Sequence, residues 1–147
     1  LIREVKEVNY REINYISKEN FSKYGVVLEM TEDAENGFDI LISEKNYGWR
    51  IALFEYHRRS TAVLENHPTS KESFEPVRGV SLLIVAENKS PEKFEIFILD
   101  KPICLYEGVW HQVVTLSQSS MVKITENIEV TSEFYYPENE IKPVVLI

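Results

Sequence analysis

The densest collection of chemically useful side chains is the segment Glu65-Asn66-His67-Pro68-Thr69-Ser70-Lys71-Glu72-Ser73-Phe74-Glu75-Pro76-Val77-Arg78-Gly79. Imidazoles and carboxylates move protons near neutral pH and ligate first-row divalent metals. Side chains two apart on a strand leave it on the same face, so Glu65 and His67 point into one cavity if a strand carries both. Pro68 removes a backbone donor and restrains the chain right after His67, which places a strand end there. Glu72 then enters the same space from the next strand. Each residue alone also has an ordinary structural reading, as a satisfied core histidine or an exposed strand carboxylate.

The elements that must position these groups are mainly strands. Apolar residues alternate or cluster in short runs rich in Val, Ile, Phe and Tyr, the pattern of strands packed on one face. This predicts strands over Val26–Met30, Phe38–Ile42, Trp49–Tyr56, Thr61–Asn66, Val80–Ala86, Phe94–Leu99, Trp110–Leu116, Met121–Thr125 and Ile128–Phe134. Turn-type segments at Glu32–Gly37, Glu44–Gly48, Glu87–Glu92 and Tyr136–Asn139 are expected to join neighbouring strands in antiparallel pairs. One short helix is predicted over Lys18–Lys23, capped by Ser17 and ended by Gly25 in a left-handed conformation. The Val80–Ala86 run is apolar almost throughout, as in a strand buried on both faces. Many short strands, few helices and no repeat make the chain all-β, a sandwich or barrel rather than a layered α/β fold.

Composition narrows the function classes. The 147 residues suit one domain spanning the whole chain, 1–147. Lys and Arg total 16 against 24 Asp and Glu, and the net charge of −8 opposes binding to a phosphate backbone. Nucleic acid is not an expected partner. Cys104 is the sole cysteine, which excludes an internal disulfide framework and fits a reducing compartment. No apolar run approaches the ~20 residues of a membrane helix, and the opening Leu1-Ile2-Arg3-Glu4-Val5-Lys6 is too charged for a signal-peptide core. A cytoplasmic protein without a membrane partner is the expectation.

Two spaced patterns sharpen the reading. Glu65-x-His67, then Glu72, then Gly79 resembles the first cupin motif, with Glu where cupins usually have their first His. Downstream, Tyr106-x-Gly108-x-x-His111 resembles the second, with Tyr for its usual Pro and Thr115 for its usual Asn. A fuller resemblance runs along nearly the whole chain. Phe21-Ser22-Lys23-Tyr24-Gly25, Leu64-Glu65-Asn66-His67-Pro68, Phe74-x-Pro76 with Gly79, and Gly108-Val109-Trp110-His111 are similar to the ordered landmarks of the ureidoglycolate lyase family, some of whose members were called ureidoglycolate hydrolases.

That resemblance implies a cupin-type double-stranded β-helix, or jelly-roll barrel, with a short N-terminal helix. It also implies a homodimer that splits ureidoglycolate into glyoxylate and urea in allantoin and purine breakdown. The reaction removes the hydroxyl proton, stabilises oxyanion character and protonates the departing urea. Glu72 or His111 is then the base, and His67 the acid or the group holding the hydroxyl; the sequence does not separate these roles. One divalent metal ion held by Glu65, His67, Glu72 and His111 does part of the same work by lowering the hydroxyl pKa. The small-molecule carboxylate substrate needs a cationic partner, for which Arg50, Arg59 and Arg78 are the candidates.

The chain has Ala62 and Asn66 where the family often places His and Arg. This keeps open a cupin that binds a small acid or sugar without converting it. A metal-dependent isomerase or oxygenase is also compatible, because one barrel hosts many chemistries. His57 lies among charges at a strand end and reads as a surface residue. The Trp110 ring faces away from His111 into core or interface, and Cys104 reads as a small apolar filler.

Overall fold

Runs of three to eight β-forming residues, interrupted by Gly, Pro and Asx turns, build eleven strands in the computed structural model, which describes residues 10–45 and 48–145. In chain order these are β1 (Ile13–Tyr15), helix α1 (Lys18–Phe21), β2 (Gly25–Val27), β3 (Trp49–Tyr56), β4 (Leu64–Asn66), β5 (Glu72–Arg78) and β6 (Ser81–Ala86). A 3₁₀ turn at Pro91–Lys93 leads to β7 (Glu95–Ile98), β8 (Ile103–Leu105), β9 (Trp110–Thr115), β10 (Ser120–Asn127) and β11 (Glu133–Tyr135). The strands form a six-stranded sheet, β1-β7-β6-β9-β4-β11, and a five-stranded sheet, β2-β8-β5-β10-β3. All pairs are antiparallel except β1 with β7. The chain changes sheet at almost every step, which gives the jelly-roll topology of a cupin-type barrel.

Two apolar layers follow from strand alternation. Phe74, Val122 and Ile124 from the smaller sheet meet Leu83, Val85, Phe97 and Val113 from the larger one, so the main core lies between the sheets. The alternate residues Leu82, Ile84, Ala86, Trp110 and Val114 form a second cluster on the outer face of the larger sheet, with Leu64, Ile96 and Ile141. Strand β6 is thus buried on both faces, the environment its unbroken apolar run demands.

Helix α1 is closed by a reciprocal cap: Ser17 Oγ accepts from the Asn20 N–H, and Asn20 Oδ1 accepts from the Ser17 N–H. The helix stops at Phe21, which packs edge-on against Tyr24 and Phe97. Gly25 does not end it in a left-handed conformation. It opens β2, where a Cβ atom would lie 2.0 Å from the Cys104 carbonyl oxygen, so glycine here permits the close approach of β2 to β8.

Several sequence expectations are corrected. Phe38–Ile42 forms no strand; Phe38 makes only a bridge to Glu35, and Phe38 and Ile40 remain exposed. Ile128–Phe134 contributes only the short β11, displaced to Glu133–Tyr135. β1, β5 and β8 fall outside the predicted strands. Of the four turn segments, Glu87–Glu92 joins two strands paired with each other, β6 and β7; elsewhere consecutive strands mostly lie in different sheets. Asn46 and Tyr47 of the Glu44–Gly48 turn, and the opening Leu1–Lys6, lie outside the described residues. Among the described residues, no helix is long and apolar enough to cross a membrane.

Candidate active site

The site forms where one end of the larger sheet meets the same end of the smaller one. Glu65 on β4 is directly opposite His111 on β9, and His111 is opposite Val85 on β6, so Glu65 and His111 share the inward face. His67 follows β4 by one residue and keeps the phase of Glu65, as Pro68 requires a strand end there. Glu72 begins β5, in phase with the core residue Phe74. Phe74 forms the floor, its ring edge-on to His111 at 5.7 Å between centroids. The His67 and His111 rings are 5.2 Å apart, tilted by 53°.

Hydrogen bonds behind the imidazoles fix how they face the cavity. His67 Nδ1 lies 3.1 Å from the Thr131 carbonyl oxygen, and His111 Nδ1 lies 3.0 Å from that of Val109. A carbonyl only accepts, so both Nδ1 atoms carry protons and each neutral ring presents a lone pair at Nε2. Both Nε2 atoms lie 3.0 Å from the same atom, Glu72 Oε2. These three atoms are buried and lack well-formed hydrogen bonds to one another. Three acceptors held this close together, the two imidazoles each oriented by a partner behind the ring, need a positive charge among them: a metal ion, or protons on the imidazoles.

The protonation equilibria express the same demand. Burial alone lowers the His67 pKa, but the Glu72 carboxylate outweighs it, with the Thr131 carbonyl adding to the rise, and lifts it to about 9. Fully buried His111 is raised for the same reason, Glu72 again overriding desolvation. Burial raises the Glu72 pKa, but the two imidazoles reverse that and hold it down at about 2. A divalent cation replaces those protons with a charge of the same sign.

The ligand atoms of Glu65, His67 and His111 all lie within 4.8 Å of one another, and so do those of His67, Glu72 and Glu126. The four residues expected from the sequence to hold a metal therefore meet at one place. Glu65 Oε1 is 3.9 Å from His111 Nε2, and its side chain remains 33% exposed while Glu72 and both histidines are below 10%. The cluster is closed towards the core and open past Glu65.

The three candidate arginines part company. Arg50 on β3 binds Glu126, placing it beside the cluster. Arg78 pairs with Glu55 and Ser119 at the far end of β5. It stands opposite Met121 whereas Glu72 stands opposite Glu126, a separation of roughly 17 Å along the strand. Arg59 donates to the Leu116 carbonyl, beyond the other end of β9 from His111. The structure brings neither Arg59 nor Arg78 to the cluster. His57 is exposed and paired with Glu55, and the Trp110 indole turns outward to the Asn88 carbonyl. Cys104 is buried, and burial pushes its thiol up to about 11.

Thr131, Ser132 and Glu126 lay outside the sequence candidates. The first two act through a backbone carbonyl and a hydroxyl 3.2 Å from His67 Nδ1, which residue type does not announce. Glu126 carried a usable signal: it continues the inward phase of Val122 and Ile124, one residue beyond the predicted end of that strand.

The fold and this donor set define a cupin-type barrel with a His/Glu cluster able to hold a metal ion. The chain belongs to the ureidoglycolate lyase family, whose model matches residues 43–139 and so includes every residue of the cluster. Among solved structures, a dTDP sugar isomerase from Desulfovibrio desulfuricans G20 is similar at 13% identity, with 82% of each chain covered and a TM-score of 0.44. No curated protein matches.

Proposed function

We propose that this protein is a carbon–nitrogen lyase releasing urea and glyoxylate from ureidoglycolate, with a divalent cation held by His67, His111 and Glu72. The observation that carries the reading is the approach of two buried Nε2 atoms, each at 3.0 Å, to one buried oxygen of Glu72. Two imidazoles and a carboxylate are donors that would hold a first-row divalent metal. An ion held there would supply charge that lowers the pKa of the substrate hydroxyl.

The chain's own residues account for the remaining steps. Glu72 is buried and ionised, which suits it to holding charge rather than moving a proton. Glu65 reaches from the solvent side to within 3.9 Å of His111 Nε2 and is placed to accept the hydroxyl proton. As the hydroxyl oxygen becomes a carbonyl, the carbon–nitrogen bond breaks with its electron pair on nitrogen, and Glu65 returns the proton to the departing urea. No proton is gained or lost overall. Phe74 and the core beneath it keep water from the closed side of the cluster.

The same donor set supports a second reading, a metal-dependent oxygenase or isomerase, because two histidines and one carboxylate with open positions also serve oxygen-activating iron. The two separate in one experiment. Purified protein is incubated with racemic ureidoglycolate, with and without Mn²⁺, Ni²⁺ or Zn²⁺, and glyoxylate is followed. Release of glyoxylate and urea in equal amounts supports the lyase; no release under any condition removes it. The reading extends to a homodimer formed through β3, an edge strand whose Trp49, Ile51 and Leu53 are exposed.

A further inference from the structure

Arg50, Glu126 and Glu72 stand in one row across three neighbouring strands: Arg50 on β3 is opposite Glu126 on β10, which is opposite Glu72 on β5. Two carboxylates directly opposed on one face repel, so the row needs positive charge on both flanks. On one flank His67 and His111 each approach Glu72 at 3.0 Å. On the other, Arg50 donates from Nε at 3.0 Å and from Nη2 at 2.7 Å, both to Glu126 Oε1.

The ion pair is anchored at its acidic end and open at its basic end. The Glu126 side chain is 10% exposed and that of Arg50 50%. A guanidinium carries its N–H donors on a rigid planar fork, with one edge formed by Nε and Nη2 and another by the two Nη atoms. Glu126 occupies the first edge. Among the described residues, Arg50 Nη1 has no acceptor, so the second edge is free to take a carboxylate through two parallel hydrogen bonds. β3 and β5 flank β10 about 10 Å apart at this level, so Arg50 and Glu72 stand on either side of Glu126.

We propose that Glu126 is a positioning residue that fixes Arg50 as the carboxylate-binding arm of the site. The substrate's carboxylate rests on Arg50 and its neighbouring oxygen faces His67, Glu72 and His111. The proposal deepens the function proposed above and rests on its metal-holding cluster. Glu126 lies near enough to His67 and Glu72 to be a ligand itself. Its Oε1 already receives two N–H groups, however, which assigns it to the arginine. Lysine cannot replace Arg50, since a single ammonium does not hold Glu126 and a second carboxylate in one plane.

The test is calorimetric titration of Mn²⁺-loaded protein with glycolate, a 2-hydroxy acid, and with glycolamide, its neutral counterpart. Wild type binds glycolate in preference. Arg50→Ala weakens glycolate about tenfold or more and leaves glycolamide unchanged, and Arg50→Lys restores only part of the loss. Glu126→Gln weakens glycolate in the same sense while holding the Mn²⁺ dissociation constant within about threefold of wild type. Unfolding curves of each variant confirm that half-exposed Arg50 is dispensable for folding. Absence of glycolate preference in wild type, or unchanged preference in Arg50→Ala, overturns the proposal. Loss of Mn²⁺ together with glycolate in Glu126→Gln also overturns it, by making Glu126 a ligand. Failure to release glyoxylate from ureidoglycolate, with glycolate selectivity intact, counts against the reaction and not against this assignment.

Discussion

The backbone N–H of Gly108 donates to the carbonyl oxygen of His67 at 2.9 Å, fastening the turn that precedes β9 to the end of β4. The two stretches that contribute the histidines are thus tied beside the cluster. Gly108 has φ +75°, a conformation in which a side chain is strained, and a Cβ there would meet Asn88 Nδ2 at 3.3 Å. Gly108→Ala should therefore cost about 1–2 kcal/mol of stability and displace His111 relative to His67. Denaturant unfolding and metal titration check this; a variant with wild-type stability and metal affinity would contradict it.

The pKa shifts give metal-free protein a stability maximum in a stated window. Glu72 is held at about 2, below its ordinary 4.5, so its contribution is complete above about pH 4.5 and fades as pH falls towards 2. His67 is lifted from 6.5 to about 9, so its contribution is complete below about pH 6.5 and is lost as pH rises through 9. Thermal unfolding of chelator-treated protein should show its highest midpoint between these limits. Zn²⁺ should raise the midpoint most on the alkaline side, where His67 Nε2 loses its proton and competes least with the metal. A metal-free profile that keeps rising from pH 6.5 to 9 would contradict the assignment.

Glu72→Gln removes the one carboxylate shared by both imidazoles. Its expected effect is a loss of at least about 100-fold in metal affinity, because even outer-shell partners cost up to that much. The His67 pKa should fall back as the charge beside it disappears, which NMR titration of the imidazole signals would record. Retained metal affinity would place the ion elsewhere.

The homodimer proposal makes β3 the strand to disrupt. It pairs with β10 on one side and forms the edge of the smaller sheet on the other, with Trp49, Ile51 and Leu53 exposed along it. A second copy adding its own β3 about a two-fold axis would cover Ile51 and Leu53. Sedimentation velocity should find a dimer for wild type and a monomer for Leu53→Glu. A monomeric wild type would contradict the proposal.

Much of the framework was legible because the local signal and the tertiary demand agree. Trp49–Tyr56 is rich in β-forming residues and forms a strand over its whole length, Ser17 caps the helix, and the unbroken Val80–Ala86 run supplies a strand buried on both faces. Ile13–Tyr15 and Ile103–Leu105 were not legible, because three residues carry little periodicity and become strands through their partners on β7 and on β2 and β5. Phe38–Ile42 misled for the opposite reason: it has strand composition, yet among the described residues it pairs with no strand and makes only the Glu35–Phe38 bridge. In the site, Glu65, His67, Glu72 and His111 announced themselves by type and spacing. The choice among the arginines did not, since it depends on β3 and β10 being neighbours in the smaller sheet.

The account stands on a cation seated between His67, Glu72 and His111. Crystals soaked in Zn²⁺ and measured at its absorption edge address this most directly. The predicted result is one anomalous peak about 2.0–2.2 Å from His67 Nε2, His111 Nε2 and a Glu72 carboxylate oxygen. A Zn²⁺ peak elsewhere on the molecule, with none between the two imidazoles, would contradict it.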